Sequence, residues 1–535
     1  GGYVIDNSLR LRSSASAYLN RDNATTGADP LKFTVSGWVK LGDSTASRFN
    51  LVGTNTGTNA FTLIGFESNK LVFRSRNSSS VDLVQITSSA IFRDFSAWYH
   101  IVAVWDTANA TSTERVKLYV NGVQLTSFST TNYPALNSEP SGTFLNRMQI
   151  GRSNTNSTNQ NYSDGYITEV NFIDGQALTP SSFGDYNEDT GVWQPAKYAG
   201  TYGTNGFYLN FSDATTTSTL AEDSSGNGND WTPNNISLTA GVTYDSMTDT
   251  PTPYAGGGNY CTLNPLSSNV GNTSNANLQA NCVVANWQSK GATIAVSTGK
   301  WYWESTVISL VTLQQVGITA SSEFFGSTVN LSRLGYAYQN NASKHSNNAN
   351  QGSYGATFTT NDVIGVALDL DAGTIEFYKN GTSQGVAFTG ISGEFVPAVG
   401  CYGNGSSNAN NFGQRPFSYT PPAGFLPLHT GNLPDAAIVD GSAYFAATTY
   451  TGNNGTQSVS NGSFQPDLVW VKNRTNAFTH LLYDSVRGVG TLKAISSSET
   501  TAEGSMSDNA TFGYLDSINS AGFTVISGSS ANSYT

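Results

Sequence analysis

Two stretches of this chain carry the same hairpin pattern, and that repetition restricts the fold more than any other feature. Val363, Ile364, Val366 and Leu368 form an apolar run up to Asp369, a turn follows at Asp371-Ala372-Gly373, and Thr374 to Lys379 alternates before stopping at Asn380-Gly381. Earlier, Ile101 to Asp106 leads through a longer polar turn into Val116-Lys117-Leu118-Tyr119-Val120-Asn121-Gly122. Alternation with a period of two, closed by Asn-Gly, signals a β-hairpin, because both turn residues accept positive φ. The repeat predicts two related sandwich modules in tandem.

Composition agrees. Only 12% of the 535 residues are charged, 12% are aromatic and 54 are Gly. Many short strands joined by turns suit that blend, and helical bundles do not. At about 150 residues per domain the length allows roughly three to four domains. The net charge of −12 disfavours nucleic acid, since phosphate binding needs clustered Lys and Arg. No apolar run approaches the roughly 20 residues of a membrane span, so no membrane insertion is expected. The chain begins Gly1-Gly2-Tyr3, which leaves the true start open. Cys261, Cys282 and Cys401 are too few for a disulfide scaffold. One pair plus a spare is an alternative, and three small buried thiols are the expectation.

Taken in order, residues 3–20 read as a first strand pair. Phe33, Val35, Gly37 and Val39 then share one strand face, with Thr34, Ser36, Trp38 and Lys40 on the other. Further strands are expected near 61–66, 70–74, 81–86, 98–105, 116–120, 148–151 and 166–173. Phe33 to Lys40, Trp98 to Asp106, Leu118 to Gly122 and Gly165 to Val170, in that order, resemble the laminin-G and concanavalin-A-like lectin fold. The resemblance implies a jelly roll of two antiparallel sheets over residues 1–185.

Residues 186–258 form a connecting region in which Trp193, Phe207, Leu209 and Phe211 partly close the first sandwich. Thr250-Pro251-Thr252-Pro253 and Gly256-Gly257-Gly258 mark a boundary. Resembling sandwiches sometimes bind calcium, and Asp223, Ser225, Asn227 and Asn229 place oxygen-bearing side chains at alternate positions. A Gly/Asn turn is the favoured reading, because no carboxylate follows at the distance of a bidentate ligand. No cofactor is expected, with Ca²⁺ as the alternative.

A second module spans 259–420. Gly299-Lys300-Trp301-Tyr302-Trp303-Glu304, Asp362 to Asp369, Phe377 to Gly381 and Phe395-Val396-Pro397-Ala398 resemble the SPRY family. That resemblance implies a β-sandwich that binds partners through loops and has no enzymatic activity. Residues 421–535 make a third β-rich module, with strands expected at Tyr444-Phe445, Asp467 to Lys472 and Gly522 to Val525. Its end at Ser533-Tyr534-Thr535, without a closing strand, suggests a module cut short.

Chemistry is sparse. His100 lies within a strand, His345 and His429 are expected in loops, and His480 precedes Leu481-Leu482; none belongs to a catalytic motif. Glycosidases need two carboxylates about 5 to 10 Å apart. Asp369-Leu370-Asp371 comes nearest, and its turn accounts for both acids, while Glu67, Glu169, Glu304 and Glu376 stand alone. Trp38, Tyr162, Tyr338, Tyr354 and Tyr402 fall near polar loops and are the aromatic candidates for ligand contact.

A lectin-like module, a SPRY-like module and a segment from Leu433-Pro434-Asp435 through Phe464 to Lys472 together resemble large virion proteins of tailed bacteriophages. What this implies is an all-β, non-enzymatic tail fibre or surface appendage located on the virion. Its partners would be other virion proteins and a host-surface glycan or receptor, and it would be a homo-oligomer such as a trimer. A capsid-decorating head fibre, a secreted carbohydrate-active enzyme and a bacterial surface adhesin are the alternatives.

Overall fold

The computed structural model describes residues 2–22, 29–42, 48–55, 59–141, 147–154, 160–188, 190–254, 256–268, 271–326, 329–434, 437–438, 440–505 and 508–529. They form tandem antiparallel β-sandwiches. Two compact units emerge: Gly1–Asp185 with Gln194–Leu433, and Tyr186–Trp193 with Pro434–Thr535. No helix among the described residues is long and apolar enough to cross a membrane.

The first sandwich packs two sheets of eight strands. One runs Val123–Gln124, Val116–Val120, Trp98–Asp106, Lys32–Leu41, Gly165–Asp174, Ser8–Leu11, Ser246–Met247, with Phe207–Leu209 also paired to Gly165–Asp174. The other runs Phe128–Asn132, Asp82–Ser88, Lys70–Arg76, Phe61–Glu67, Arg48–Asn55, Arg147–Ile150, Tyr18–Asp22, Thr232–Asn234. Between them Phe33 lies 5.9 Å from Trp105 and 5.3 Å from Phe172, ring to ring. Phe207, Phe211 and Trp231, all from residues 186–258, join the same core.

Residues 3–20 are not a strand pair. Ser8–Leu11 and Tyr18–Asp22 belong to opposite sheets, because the turn at Ser13–Ala15, ending in left-handed Ser16, carries the chain over the sandwich edge. Leu9, Leu11 and Leu19 thereby bury in one core from two sides.

The second sandwich has a seven-stranded sheet, in the order Asn272–Ser274, Gln279–Asn281, Ser407–Asn411, Lys300–Ser309, Val363–Asp369, Thr374–Lys379, Thr382–Thr389. Its six-stranded partner runs Trp287–Gly291, Phe395–Tyr402, Leu313–Ala320, Gly335–Gln339, Ser343–Ser346, Ala349–Ser353. His345 is therefore a strand residue rather than a loop residue. Trp303, Val316, Ile318, Ile364, Val366, Leu368 and Phe377 are all buried.

Both Asn-Gly turns do more than reverse the chain. Asn121 N donates to His100 O at 2.9 Å, while its Oδ1 accepts from His100 N at 2.8 Å. In the second module Asn380 N donates to Val363 O and Asn380 Oδ1 accepts from Val363 N, both at 2.8 Å. Each Asn has positive φ, 49° and 50°, so its side chain swings back and replaces the missing ladder partner of the strand beyond. At Gly381, with φ 77°, an added Cβ would come 2.5 Å from the Tyr419 ring.

The Pro434–Thr535 unit holds two three-stranded sheets: Thr456–Ser460, Gly522–Ile526, Tyr514–Asn519, and Leu468–Val471, Leu481–Asp484, Ile495–Ser496. Val469, Val471, Leu481, Tyr483, Leu515 and Val525 form its core. Tyr444 and Phe445 are exposed and follow a short 3-10 turn, so no strand forms there. Asp435 and Ser533 to Thr535 lie outside the described residues.

The two large sandwiches meet at a buried cation. Lys40 projects from the outer face of its sheet, and its side chain is fully buried, as is that of Asp249. Its ammonium donates to Asp249 Oδ2, Asn259 Oδ1 and Tyr260 O, each at 2.8 Å. Trp98 Nε1 donates to the other Asp249 oxygen at 3.0 Å. Nearby, Tyr166 OH donates to Ala276 O at 2.9 Å and Ala276 N to Asp164 Oδ2 at 3.0 Å.

Asn380→Ala strands a Val363 N–H and places a Cβ-bearing residue of lower left-handed tolerance in the turn. It should cost about 2–3 kcal/mol in urea unfolding. Asn380→Gly keeps the turn conformation but also loses the acceptor, so it should retain about 1–2 kcal/mol of that cost; a Gly variant as stable as the parent would refute the side-chain latch.

Candidate functional site

The residues singled out for chemistry are dispersed. His100 is buried, with Nε2 2.9 Å from Ser36 Oγ and its ring stacked on Trp38. Burial lowers its pKa to about 3, so it stays neutral. His429 caps a 3-10 turn and is likewise held neutral by burial, at about 4. Asp369 pairs with Lys300 at 2.8 Å and accepts from Ala372 N, while Asp371 accepts from Gly299 N. The two acids hold their hairpin end closed and do not face one another across a groove.

Asp223, Ser225, Asn227 and Asn229 do come together, as a knot of turns. Asp223 Oδ1 accepts from Tyr208 N and Ser225 N, and Oδ2 from Ser225 Oγ and Asn229 N. Asn227 and Asn229 each turn an amide NH₂ onto backbone carbonyls of residues 203–206. The donors on Asp223, and the Arg21 guanidinium on Asn229 Oδ1, supply this turn with partners from within the protein. Among the described residues, no group of three His, Cys, Asp or Glu is placed to hold a metal ion.

Glu169 is an acid strongly perturbed by burial, and its environment was invisible in the sequence. It sits at a bulge between Thr168 and Asn171 with φ 52°, a conformation that costs a non-glycine residue energy. Tyr208 OH donates to Oε1 at 2.7 Å and Tyr3 OH to Oε2 at 3.1 Å. Burial pushes its carboxyl up to about 7, against the pull of those two hydroxyls. The group fastens the N-terminal segment to the sheet and reaches no open surface.

Of the five aromatic candidates, Trp38, Tyr338 and Tyr354 are buried. Tyr338 and Tyr354 pack around Phe377, with ring centroids 5.5 and 6.0 Å away, so they belong to the core of the second sandwich. Tyr162 and Tyr402 remain half-buried.

Tyr402 stands in a distinctive place. It pairs across the sheet with Trp287 on one side and Leu313 on the other, and its ring meets Trp287 edge-on at 5.9 Å. Both partners are also half-buried. Beyond it, Gly403 adopts φ 111°, and a Cβ there would lie 3.0 Å from Thr312 Oγ1 and 3.3 Å from Val311 Cβ. Val311 is 57% exposed, and Val283 and Val284 on the adjacent loop are 43% and 49% exposed. Three half-buried and three exposed apolar side chains therefore lie at one end of the six-stranded sheet.

That end is pinned. Cys282 and Cys401 form a disulfide with Cα atoms 6.2 Å apart, contrary to the expectation of three thiols; Cys261 is free and buried. The bond joins residues 119 apart in sequence, which spacing alone does not reveal. Gly405 N donates to Cys282 O and Cys282 N to Ser406 O, both at 2.9 Å. The loop bearing Val283 and Val284 is thus held beside Tyr402.

Comparison with known proteins separates the modules. Residues 13–182 match the concanavalin A-like lectin/glucanases superfamily, residues 300–415 the SPRY domain, and residues 440–535 a domain of unknown function, DUF7483. Over 133 residues the chain is 36% identical to Ran-binding protein 9 of Xenopus tropicalis, covering 24% of this chain and 24% of that protein. The human Ran-binding protein 9 is 34% identical over 133 residues, covering 24% of this chain and 18% of its own length. The Drosophila Ran-binding proteins 9/10 homolog is 32% identical over 129 residues, covering 24% of this chain and 13% of its own. The chain therefore spans about a quarter or less of these relatives. The solved SPRY domain of human HERC1 shares 21% identity with 25% of this chain and 87% of its own, at a TM-score of 0.23. No enzyme family is indicated by the matches.

These relatives overturn the expected bacteriophage fibre or appendage. With it fall the virion location, the virion proteins and host-surface glycan or receptor as partners, and the trimer a fibre would form. Low charge and abundant Asn, Ser and Gly describe any stack of β-sandwiches, so composition and module order report architecture rather than place.

Unfolded Glu169 releases its proton near 4.5 and folded Glu169 near 7. Between those values the unfolded state binds fewer protons, so this group's contribution to stability declines as pH rises through the window and then levels off. Glu169→Gln should show a shallower fall in Tm from about pH 4.5 to 7 than the parent. Asp174, Asp249 and Glu304, also raised by burial, contribute equally to both proteins. Parallel profiles would contradict the assignment.

Proposed function

We propose that this chain is a non-enzymatic binding protein whose SPRY-like module takes an extended segment of a protein partner on the Tyr402 end of its six-stranded sheet. The first sandwich serves as a rigid mount. The observation that carries the reading is the partly exposed group of Trp287, Tyr402, Leu313, Val311, Val283 and Val284, beside the Cys282–Cys401 bond. Burying partly exposed Trp and Tyr side chains against a partner typically supplies most of an interface's energy. Pre-organisation by the disulfide lowers the ordering cost of binding. The relatives' name, which specifies Ran binding, supports a protein as the occupant and makes Ran the first probe.

Purified chain should be tested by calorimetry against Ran and against peptides selected from a random displayed library. Trp287→Ala and Tyr402→Ala should each weaken binding at least about tenfold, a loss of about 1.4 kcal/mol or more, and leave Tm within a few degrees. Reduction of the disulfide should weaken binding in the same direction. Failure to bind any protein or peptide, or binding indifferent to both substitutions, would refute the proposal.

A further inference from the structure

The buried junction has the arrangement of a reacting group as well as that of an ion pair. The Lys40 ammonium touches a carboxylate and a side-chain amide at once, with Asp249 Oδ2 and Asn259 Oδ1 each 2.8 Å from Nζ. The electrophilic Cγ of Asn259 is one bond beyond that oxygen. We propose that Lys40 and Asn259 condense to an intramolecular isopeptide bond, with Asp249 as the proton carrier, so that the first sandwich is covalently tied to the start of the second.

Three further observations support this. The amide is held in one orientation: Asn259 Nδ2 donates to Ser96 O at 2.7 Å, and its backbone N donates to Thr430 Oγ1 at 3.0 Å. Asp249 is oriented too, because Oδ1 accepts from Trp98 Nε1 at 3.0 Å and from Tyr260 N at 3.3 Å, leaving Oδ2 for Lys40. Finally the nucleophile and the carrier are dry. Both side chains are fully buried, and the Tyr166 ring centre lies 5.5 Å from Nζ. Burial raises the Asp249 pKa, which suits that carboxyl to carry a proton. Holding reactants in contact converts a very slow intermolecular aminolysis into an intramolecular one, where effective molarities reach about 10⁵–10⁸ M.

The step balances without any co-reactant. Nζ passes one proton to Asp249 Oδ2, and its freed lone pair attacks Cγ while the carbonyl electrons move to Oδ1. Asp249 delivers its proton to Nδ2 and accepts a second from Nζ. Collapse of the tetrahedral centre restores the carbonyl, breaks the Cγ–Nδ2 bond and releases ammonia, which takes the proton back from Asp249 as ammonium. The products are a secondary amide between Lys40 and Asn259, one ammonium ion and the original carboxylate.

Mass spectrometry of the whole chain, denatured and reduced, decides the matter. The parent protein should be lighter than its sequence by one ammonia, and a tryptic digest should contain a branched peptide joining Lys40 to Asn259, uncut after Lys40. Lys40→Arg and Asp249→Ala should both show full mass and separate peptides. A parent chain at full mass, with circular dichroism showing it folded, would overturn the proposal whatever the variants do. So would a branched peptide that persists in Asp249→Ala.

Discussion

A lysine with no exposed surface is the constraint on which the two-sandwich body depends. Taking an ammonium out of water costs several kcal/mol even after relaxation, and it is tolerated only when every proton finds an acceptor. Lys40 stands on the outer face of the first sandwich, where a sheet of this kind would ordinarily meet solvent. All three of its acceptors come from Asp249, Asn259 and Tyr260, outside the strands of residues 1–185. The first sandwich therefore cannot keep this lysine buried unless the chain that leads into the second is docked on it. Trp98 and Tyr166, one bonded to Asp249 and the other to Ala276, extend the same seam.

Polar residues do structural work elsewhere as well. The strand Ser407–Asn411 lies between Gln279–Asn281 and Lys300–Ser309 and is buried throughout, although it contains no large apolar residue. Its amides are used instead: Asn410 Nδ2 donates to Leu278 O, Asn408 Nδ2 to Ser305 Oγ, and Asn411 Nδ2 to Arg415 O and Pro416 O. Glu304 behaves similarly, accepting from the backbone of Ser418 and Tyr419 while burial raises its pKa. Such networks specify one arrangement, because a displaced partner leaves a desolvated polar group unpaired. The apolar end around Tyr402 is the contrasting case, a place where the fold leaves hydrophobic side chains uncovered.

Local pattern made part of this legible. The alternating runs that end at Asn121-Gly122 and Asn380-Gly381 form hairpins, because period-two alternation and a left-handed turn residue act within a few positions. What escaped was set by contacts distant in sequence. Ser407–Asn411 shows no alternation of apolar residues, so nothing marks it as a central strand. Ser8–Leu11 and Tyr18–Asp22 look like partners but diverge to opposite sheets. Cys282 and Cys401 are brought together only by the sandwich, and the same packing buries Tyr338 and Tyr354 while leaving Tyr402 half open. Lys40 read as an ordinary outward-facing residue because the segment that covers it lies some 200 residues on. Location and partner were harder still, since the module order that suggested a virion belongs to the architecture itself.

The central claim, that the buried Lys40 junction makes the two sandwiches one cooperative body, is tested most directly by hydrogen exchange followed by mass spectrometry across a urea series. Peptides from Lys32–Leu41 and from Lys300–Ser309 should lose protection at a common midpoint in the parent protein, and at separate midpoints once Asp249 is replaced by alanine. Separate midpoints already in the parent would show that each sandwich stands alone, and the account would fail.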